Sequence, residues 1–143
     1  GVITDGLYCP GNDTLPNGWI CSGSLDNSYL KLHNKPMDMG GGYLVGEGVT
    51  LINAMLHYEN LKGVNLTDAN LSGSKIWKAD LTDAILIRTN LSNTDMNSSN
   101  LTNANLTDAN LSGANVWNVT WSNTTCPDGT NSDDNSDTCA NNL

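Results

Sequence analysis

Four cysteines are the residues of this chain whose spacing carries chemical information: Cys9, Cys21, Cys126 and Cys139. Four cysteines allow three disulfide pairings. A zinc site is the alternative, but eleven residues separate the first two cysteines and twelve the last two, whereas zinc knuckles space their cysteines by about two to four residues. Neither pair has a histidine close to it in sequence. The spacing therefore favours disulfides, and disulfides predict an oxidising compartment outside the cytoplasm.

Few other residues have the potential for chemistry. The sequence places no nucleophile or paired carboxylates beside the two histidines, His33 and His57, so we predict no catalytic residue, no cofactor and no enzyme activity. The stretch from Asp128 to Asp137 offers alternating oxygen ligands, as calcium loops do. It lacks the Gly at the sixth position and the Glu at the twelfth position of an EF-hand loop. A solvated acidic loop is therefore favoured over a calcium site.

The chain that must position these residues repeats with a period of five. From Leu51 to Trp121 every fifth residue is apolar, and the residue two before each is small, with Glu59 as the exception. An α-helix would set residues five apart about 140° out of line, and a strand would alternate them between its faces. A coil that turns a corner at every pentapeptide points all of them inward, which predicts a solenoid. The predicted core is Leu51, Leu56, Leu61, Leu66, Leu71, Ile76, Leu81, Leu86, Leu91, Met96, Leu101, Leu106, Leu111, Val116 and Trp121.

The repeated segments resemble a known family. NLTDANLSG, ADLTDA and NLTNANLTDANLSGANV are similar to the pentapeptide repeat family, whose motif is a small residue, Asn or Asp, Leu, Ser or Thr, and a variable position often filled by Gly. The resemblance implies an all-β fold, a right-handed quadrilateral β-helix of about four coils with four pentapeptides in each. The flanking cysteines and NTTCPDGTNSDD resemble secreted or thylakoid-lumenal cyanobacterial members. The expected location is therefore the periplasm or the thylakoid lumen.

Within that fold the chain divides into three parts. Residues 1–48 are expected to form an N-terminal cap with a bridged loop, a partial repeat and an insertion loop. Residues 49–121 form the β-helix, and residues 122–143 form a C-terminal cap with an acidic tail. Coils stacked at the strand spacing make a rod about 18 Å long.

The length of that rod bears on the cysteine pairing. A disulfide needs Cα atoms about 4.4–6.8 Å apart, and the rod separates the first two cysteines from the last two. We therefore expect Cys9 to pair with Cys21 and Cys126 to pair with Cys139. The bridges would hold caps over the two open ends, which would otherwise present unpaired backbone and exposed leucines.

Stacking at intervals of 20 residues also aligns outward side chains. His57, Trp77 and Trp117 share one column, which is a candidate apolar strip for a protein partner. Packing of the rings on one another is the alternative interpretation. A second column, which suggests an ion-pair ladder on the surface, contains Asp68, Arg88 and Asp108.

Charge limits the classes of partner. The net charge of −9 disfavours nucleic acid and anionic membranes, and the chain has no run of about 20 apolar residues for membrane insertion. We predict a monomeric, non-enzymatic structural or protein-interaction module with an unidentified protein partner. The alternative, which the resemblance implies, is an acidic DNA mimic that inhibits an enzyme such as DNA gyrase. Against it, residues 46–125 carry seven acidic and four basic residues, a net charge of only −3.

Overall fold

The computed structural model describes residues 20–21 and 44–140. A short antiparallel pair comes first in the chain: β1 (Ile20–Cys21) lies beside β2 (Leu44–Val45). The predicted disulfide of Cys9, the partial repeat and most of the insertion loop fall on residues outside the described part.

From residue 46 onward the chain winds into a coil of 20 residues per turn. Within residues 44–140, twelve parallel bridges join residues 20 apart, one every five residues, from Thr50–Asn70 to Asn105–Thr125. Backbone hydrogen bonds accompany them, as where the Asn70 N–H group donates to the Val49 carbonyl at 2.8 Å. Each coil thus has four bridged sides, which is the 20-residue stacking that the family resemblance implied.

The sides of the coil are single bridges and not extended strands. In the described residues the only strands are β1 and β2, of two residues each. The expected all-β architecture therefore lacks continuous strands along the repeat. The reason is the corner in every pentapeptide: two of each five residues lie in the turn, and a single residue between corners has the bridge geometry.

A left-handed residue closes every corner. The residue two after each core position, from Asn53 to Asn123, has a φ between 51° and 71°. The N–H group of the following residue donates to the carbonyl of the core residue, as Ala69 does to Leu66 at 3.0 Å. This sign pattern is that of a type II turn, which favours Gly or Asn at the left-handed position. All of these corner residues are Gly, Asn, Asp or Ser except Tyr58, Lys78 and Arg88.

The core is a stack of side chains along the axis of the coil. The predicted core residues from Leu51 to Leu111, together with Trp121, are each at most 6% exposed. Val116 differs from the prediction because it is only partly buried. The ladder of bridges on its side of the coil ends at Asn115. Val116 therefore packs against the preceding coil, and no later coil in the described part of the chain covers it.

Buried hydroxyl groups tie each coil to the one before it. Ser74, Thr89, Ser99 and Thr124 occupy the small positions beside the core, and each is 0% exposed. Each hydroxyl donates to the carbonyl oxygen of the core residue 23 positions earlier, at 2.7 Å. A buried hydroxyl without a partner costs about 1–3 kcal/mol. Because these bonds satisfy the hydroxyl groups, Ser and Thr can occupy the buried small positions at which other repeats have Ala.

Where an Asn or Asp precedes a core residue, it shapes the turn that follows. Its side-chain oxygen accepts a hydrogen bond from the N–H group two residues later, as Asn65 does from Thr67 and Asn105 from Thr107, both at 3.0 Å. The threonine hydroxyls donate to the same oxygens. These are Asx turns, so the recurring Asn-Leu-Thr and Asn-Leu-Ser triplets are a folding signal.

The repeat continues past Trp121 into the C-terminal cap. Cys126, five residues later, is fully buried and forms a disulfide with Cys139, whose Cα atom lies 5.3 Å away. Between the two cysteines the chain folds back through a short 3-10 helix, Ser132–Asn135. The first N–H group of this helix donates to a carbonyl of the last coil at 2.8 Å. The disulfide thus fastens the returning segment to the end of the core.

Two corner glycines allow a test of the packing between coils. Gly63 and Gly73 have φ angles of 67° and 71°; a Cβ atom at Gly73 would collide with the side-chain oxygen of Asn53, whereas a Cβ atom at Gly63 would meet nothing within 4 Å. We expect Gly63→Ala to lower the free energy of unfolding by about 1–2 kcal/mol, the left-handed penalty. Gly73→Ala should lose about 1–3 kcal/mol more, because the collision adds overpacking.

Urea denaturation of the two alanine variants measures both losses. Adding Asn53→Gly to Gly73→Ala should remove the excess, since the colliding oxygen is then gone and glycine suits the left-handed conformation of residue 53. Equal losses for the two single variants would show that the corner side chains do not restrain one another.

Candidate functional site

One side of the coil carries the outward aromatic residues. We call this side, formed by residues 55–58, 75–78, 95–98 and 115–118, the aromatic face. Between residues 46 and 126, no other side has an aromatic residue at an outward position. The rings of the aromatic face are His57, Tyr58, Trp77 and Trp117.

Three of these rings pack as one cluster. His57 stacks on Trp77 with ring centroids 4.5 Å apart and an interplanar angle of 8°. Tyr58 meets both edge-on, with its centroid 5.9 Å from that of His57 and 4.6 Å from that of Trp77. The stacking distance is close to the ladder spacing of about 4.8 Å, because the two rings leave equivalent positions of adjacent coils. Such ring pairs contribute about 0.5–1.5 kcal/mol beyond their burial.

His57 is packed inside this cluster and does not offer an accessible surface. It is only 6% exposed, since Trp77 covers one face of the imidazole and Tyr58 lies against its edge. The prediction that His57 belongs to a partner surface is therefore wrong, and the alternative of ring packing describes it. The neighbouring Glu59, the exception among the small positions, is also buried, at 8% exposed.

Trp117 stands apart from the cluster. It lies two coils beyond Trp77, about 10 Å along the axis, and Asn97 occupies the position between them. Its side chain is 69% exposed, more than any other large apolar side chain in the described part of the chain. The predicted strip of three rings is thus a packed cluster at one end and a single exposed tryptophan at the other.

Two lysines border the ring cluster. Lys78 follows Trp77 at the left-handed corner, and its Nζ atom donates to the Tyr58 hydroxyl at 3.4 Å and lies 5.3 Å from the centroid of that ring. Lys75 precedes Trp77 on the same side, and both lysines are exposed. The sequence prediction missed Tyr58 and Lys78, although the 20-residue spacing that aligned Trp77 with His57 aligns these two residues as well.

On another side, the predicted ladder of charges forms one ion pair. Arg88 donates from Nε and Nη2 to the two carboxylate oxygens of Asp68, at 2.6 and 2.8 Å. These hydrogen bonds lower the pKa of Asp68 and raise the pKa of Arg88, while Asp108 acts on the pKa of Arg88 through its charge alone. The side chains of Arg88 and Asp68 are 54% and 50% exposed, so solvent screens the pair.

Two acidic residues of the C-terminal cap use their oxygens within the fold. In the cap, Asp133 accepts a hydrogen bond from the Asn123 N–H group at 2.7 Å, and Asp128 accepts one from Thr130 at 3.0 Å. Throughout residues 44–140, histidine, cysteine and acidic side chains form no group of three or more suited to a metal ion. The same part of the chain has no helix with the length and apolar character needed to span a membrane.

The sequence model of the family described as pentapeptide repeats matches this chain. The match comprises eight copies of the repeat and covers residues 47–83, 65–103 and 104–125. The chain belongs to the pentapeptide repeat family. The matched residues, more than half of the chain, are those of the bridged coils. No curated protein matches the chain.

Three pentapeptide repeat proteins of solved structure are similar to this one. A protein of the cyanobacterium Cyanothece 51142 is 30% identical over 63% of this chain and 65% of its own, with a TM-score of 0.46. HetL of Nostoc sp. strain PCC 7120, which is involved in regulating heterocyst differentiation, is 24% identical over 58% and 43%, with a TM-score of 0.22. A protein of the Arabidopsis thaliana thylakoid lumen is 21% identical over 55% and 61%, with a TM-score of 0.24. The chain thus covers less than two thirds of each relative.

The Asp68–Arg88 pair predicts a pH dependence. The pKa of Asp68 is lower in the folded state, so its stabilising contribution is present above the unfolded-state value of about 3.9 and is lost as the pH falls through the folded-state pKa. In an NMR titration of the carboxyl carbons, Asp68 should titrate below the free-peptide value. Arg88→Gln should return the pKa of Asp68 to its ordinary range, and an unaltered Asp68 titration in that variant would contradict the assignment.

Proposed function

We propose that this pentapeptide repeat protein is a non-enzymatic protein-interaction module, that it acts outside the cytoplasm and that it contacts its partner through the aromatic face. The exposure of Trp117 carries the proposal, since 69% of its side chain lies open to solvent. Tryptophan is enriched among the residues that contribute most to protein interfaces, where burial of its ring supplies affinity. A partner that covers Trp117 would gain that burial.

The construction of the aromatic face supports a preformed contact. Trp77 is held by stacking on His57 and by the edge of Tyr58, and the backbone beneath is bonded to the coils on either side. A surface ordered before binding loses less conformational entropy on association. A partner lying along the coil would extend from Trp77 to Trp117, about 10 Å.

The distribution of charge supports a protein partner over the DNA-mimic alternative. A mimic needs a continuous acidic surface, whereas Arg88 interrupts the column of Asp68 and Asp108, and Lys75 and Lys78 lie on the aromatic face. The convex sides of a coil also favour contact with a macromolecule over a substrate site, since small-molecule sites are concave.

The disulfide supports a location outside the cytoplasm. Cys126 and Cys139 are bonded and fully buried at the end of the core. Structural disulfides persist in oxidising compartments, such as the periplasm or the thylakoid lumen, and are rare in the cytosol. A bridge across a loop of this length contributes about 3 kcal/mol, so the cap is more stable in an oxidising compartment.

Cross-linking from the aromatic face tests the interaction. A photoreactive residue in place of Trp117 should capture one defined protein in the source cell, whereas the same residue in place of Ser92, on another side of the coil, should not. Once the partner is purified, Trp117→Ser should weaken its binding by about tenfold or more, because an interface tryptophan contributes about 2 kcal/mol or more. Equal capture from both positions, or unchanged affinity of Trp117→Ser, would reject the aromatic face as the contact.

Alkylation of cysteines in intact source cells tests the compartment. Rapid trapping before lysis, followed by mass mapping, should find Cys126 and Cys139 joined, because an oxidising compartment maintains the bridge. Trapping inside the cell removes air oxidation as a source of the bond. Recovery of both cysteines as alkylated free thiols would place the protein in a reducing compartment and reject this part of the proposal.

A further inference from the structure

We propose that the ring cluster and its two lysines bind an acidic segment of the partner protein; this inference rests on the proposed function of the aromatic face. We call this surface the lysine–aromatic patch, and it consists of Tyr58, Lys75, Trp77 and Lys78. Its occupant is a short stretch of protein in which two carboxylates accompany an apolar side chain. Charge indicates the chemistry of the occupant, and the residue types at the corners single out the same surface.

The charge argument concerns the four basic residues of the described part. Arg88 binds Asp68 at 2.6 Å, and the Nζ atom of Lys62 lies 3.9 Å from a carboxylate oxygen of Asp83. Among the described residues, neither Lys75 nor Lys78 has a carboxylate oxygen within 4.0 Å.

On this acidic protein, the two positive charges that lack an ion pair within the described part therefore lie on the side that carries the exposed rings. Carboxylates of a partner would complement them.

The conformational argument concerns the corners of the coil. Tyr58 and Lys78 have φ angles of 61° and 57°, a conformation that costs a residue other than glycine about 1–2 kcal/mol. Arg88 is the remaining long side chain at a corner between residues 48 and 123. Its two hydrogen bonds to Asp68 offset the cost of the left-handed conformation there. Tyr58 and Lys78 share a single long hydrogen bond of 3.4 Å and a cation–π contact. Because the turn imposes this φ at every corner, the unusual feature is the residue type: Tyr58 and Lys78 occupy positions where Gly, Asn, Asp and Ser are the rule.

An acidic protein segment fits this patch better than nucleic acid or a membrane does. Two lysines would neutralise two phosphates, whereas affinity for nucleic acid comes from many such contacts, and the net charge of −9 opposes a polyanion. A short segment has only a few charges, and the screening length of about 8 Å at physiological salt limits repulsion from the rest of the surface. Its apolar side chain would pack on the rings of Tyr58 and Trp77.

A peptide titration of the full chain tests the proposal. The probe is an end-capped octapeptide that alternates Glu and Leu, followed by NMR through the indole N–H signal of Trp77; the same peptide with Gln in place of Glu is the control. We expect the Glu peptide to shift the Trp77 signal and to bind about tenfold more weakly to Lys75→Gln/Lys78→Gln. Lys62→Gln/Arg88→Gln removes the same charge from other sides and should change affinity less than about twofold.

A second variant separates binding from folding. Tyr58→Asn places a favoured residue at the left-handed corner, which offsets part of the ring contacts that are lost with Tyr58. Binding of the Glu peptide, measured well below the melting temperature of the variant, should weaken about threefold or more, because a ring of the patch is gone. Unchanged affinity in this variant would overturn the proposal.

Other results of the titration would also overturn it. Equal binding of the Gln peptide, or equal losses in the two double variants, would remove the role of the lysines. Tighter binding of an eight-nucleotide single-stranded DNA would assign the patch to nucleic acid. Self-association in sedimentation that is lost in Lys75→Gln/Lys78→Gln would make a second copy the occupant.

The cross-linking experiment distinguishes this inference from the function on which it rests. If a partner is captured from position 117 with unchanged yield and affinity in Lys75→Gln/Lys78→Gln, the aromatic face binds a protein but the acidic segment is rejected. If no partner is captured from position 117, the proposed function itself fails.

Discussion

The left-handed residue at each corner is the constraint on which the rest of the coil depends. It turns the chain after every core residue, so five residues make one side and the same positions return 20 residues later, bonded to the coil before. Because equivalent corners of adjacent coils stack, the side chain at one corner contacts the corner residue of the next coil. Gly73 and Gly113 lie under the amide oxygens of Asn53 and Asn93. The residue type at each corner is therefore restricted twice, by the left-handed backbone conformation and by the side chain that stacks on it from the adjacent coil.

Stacking makes contacts from residues that are far apart in sequence. Asp83, Asn103 and Asn123 form a ladder in which each amide nitrogen donates to the oxygen one coil earlier, at 3.0 and 2.9 Å. The buried hydroxyls do the same inside the coil. Since each coil contacts only its neighbours, an open end is the weak point of a solenoid. The cap bonded through Cys126 to Cys139 covers part of one such end.

The aromatic face departs from the rules that hold elsewhere in the repeat. Its corners have Tyr58 and Lys78 where Asn and Gly predominate, and its outward column has rings where Ser and Thr predominate. Natural sequences usually agree across these levels, and departures concentrate where function requires them. A regular scaffold makes such departures visible, because each position has equivalents in neighbouring coils. The same regularity lets one face be specialised while the bonding of the coil is retained.

The period of five in the sequence determined the core and the corners, because these depend on backbone geometry that every unit repeats, and the resemblance of the repeated segments to the pentapeptide repeat family implied the 20-residue stacking. Tertiary structure decided what long side chains do. Arg88 lies 20 residues from both Asp68 and Asp108, so the spacing in the sequence does not determine which of the two it binds. In the structure the side chain of Arg88 is oriented towards Asp68 and binds it. Likewise, His57 and Trp117 share a column, yet a ring from the adjacent coil buries His57 while Trp117 in the last coil stays open.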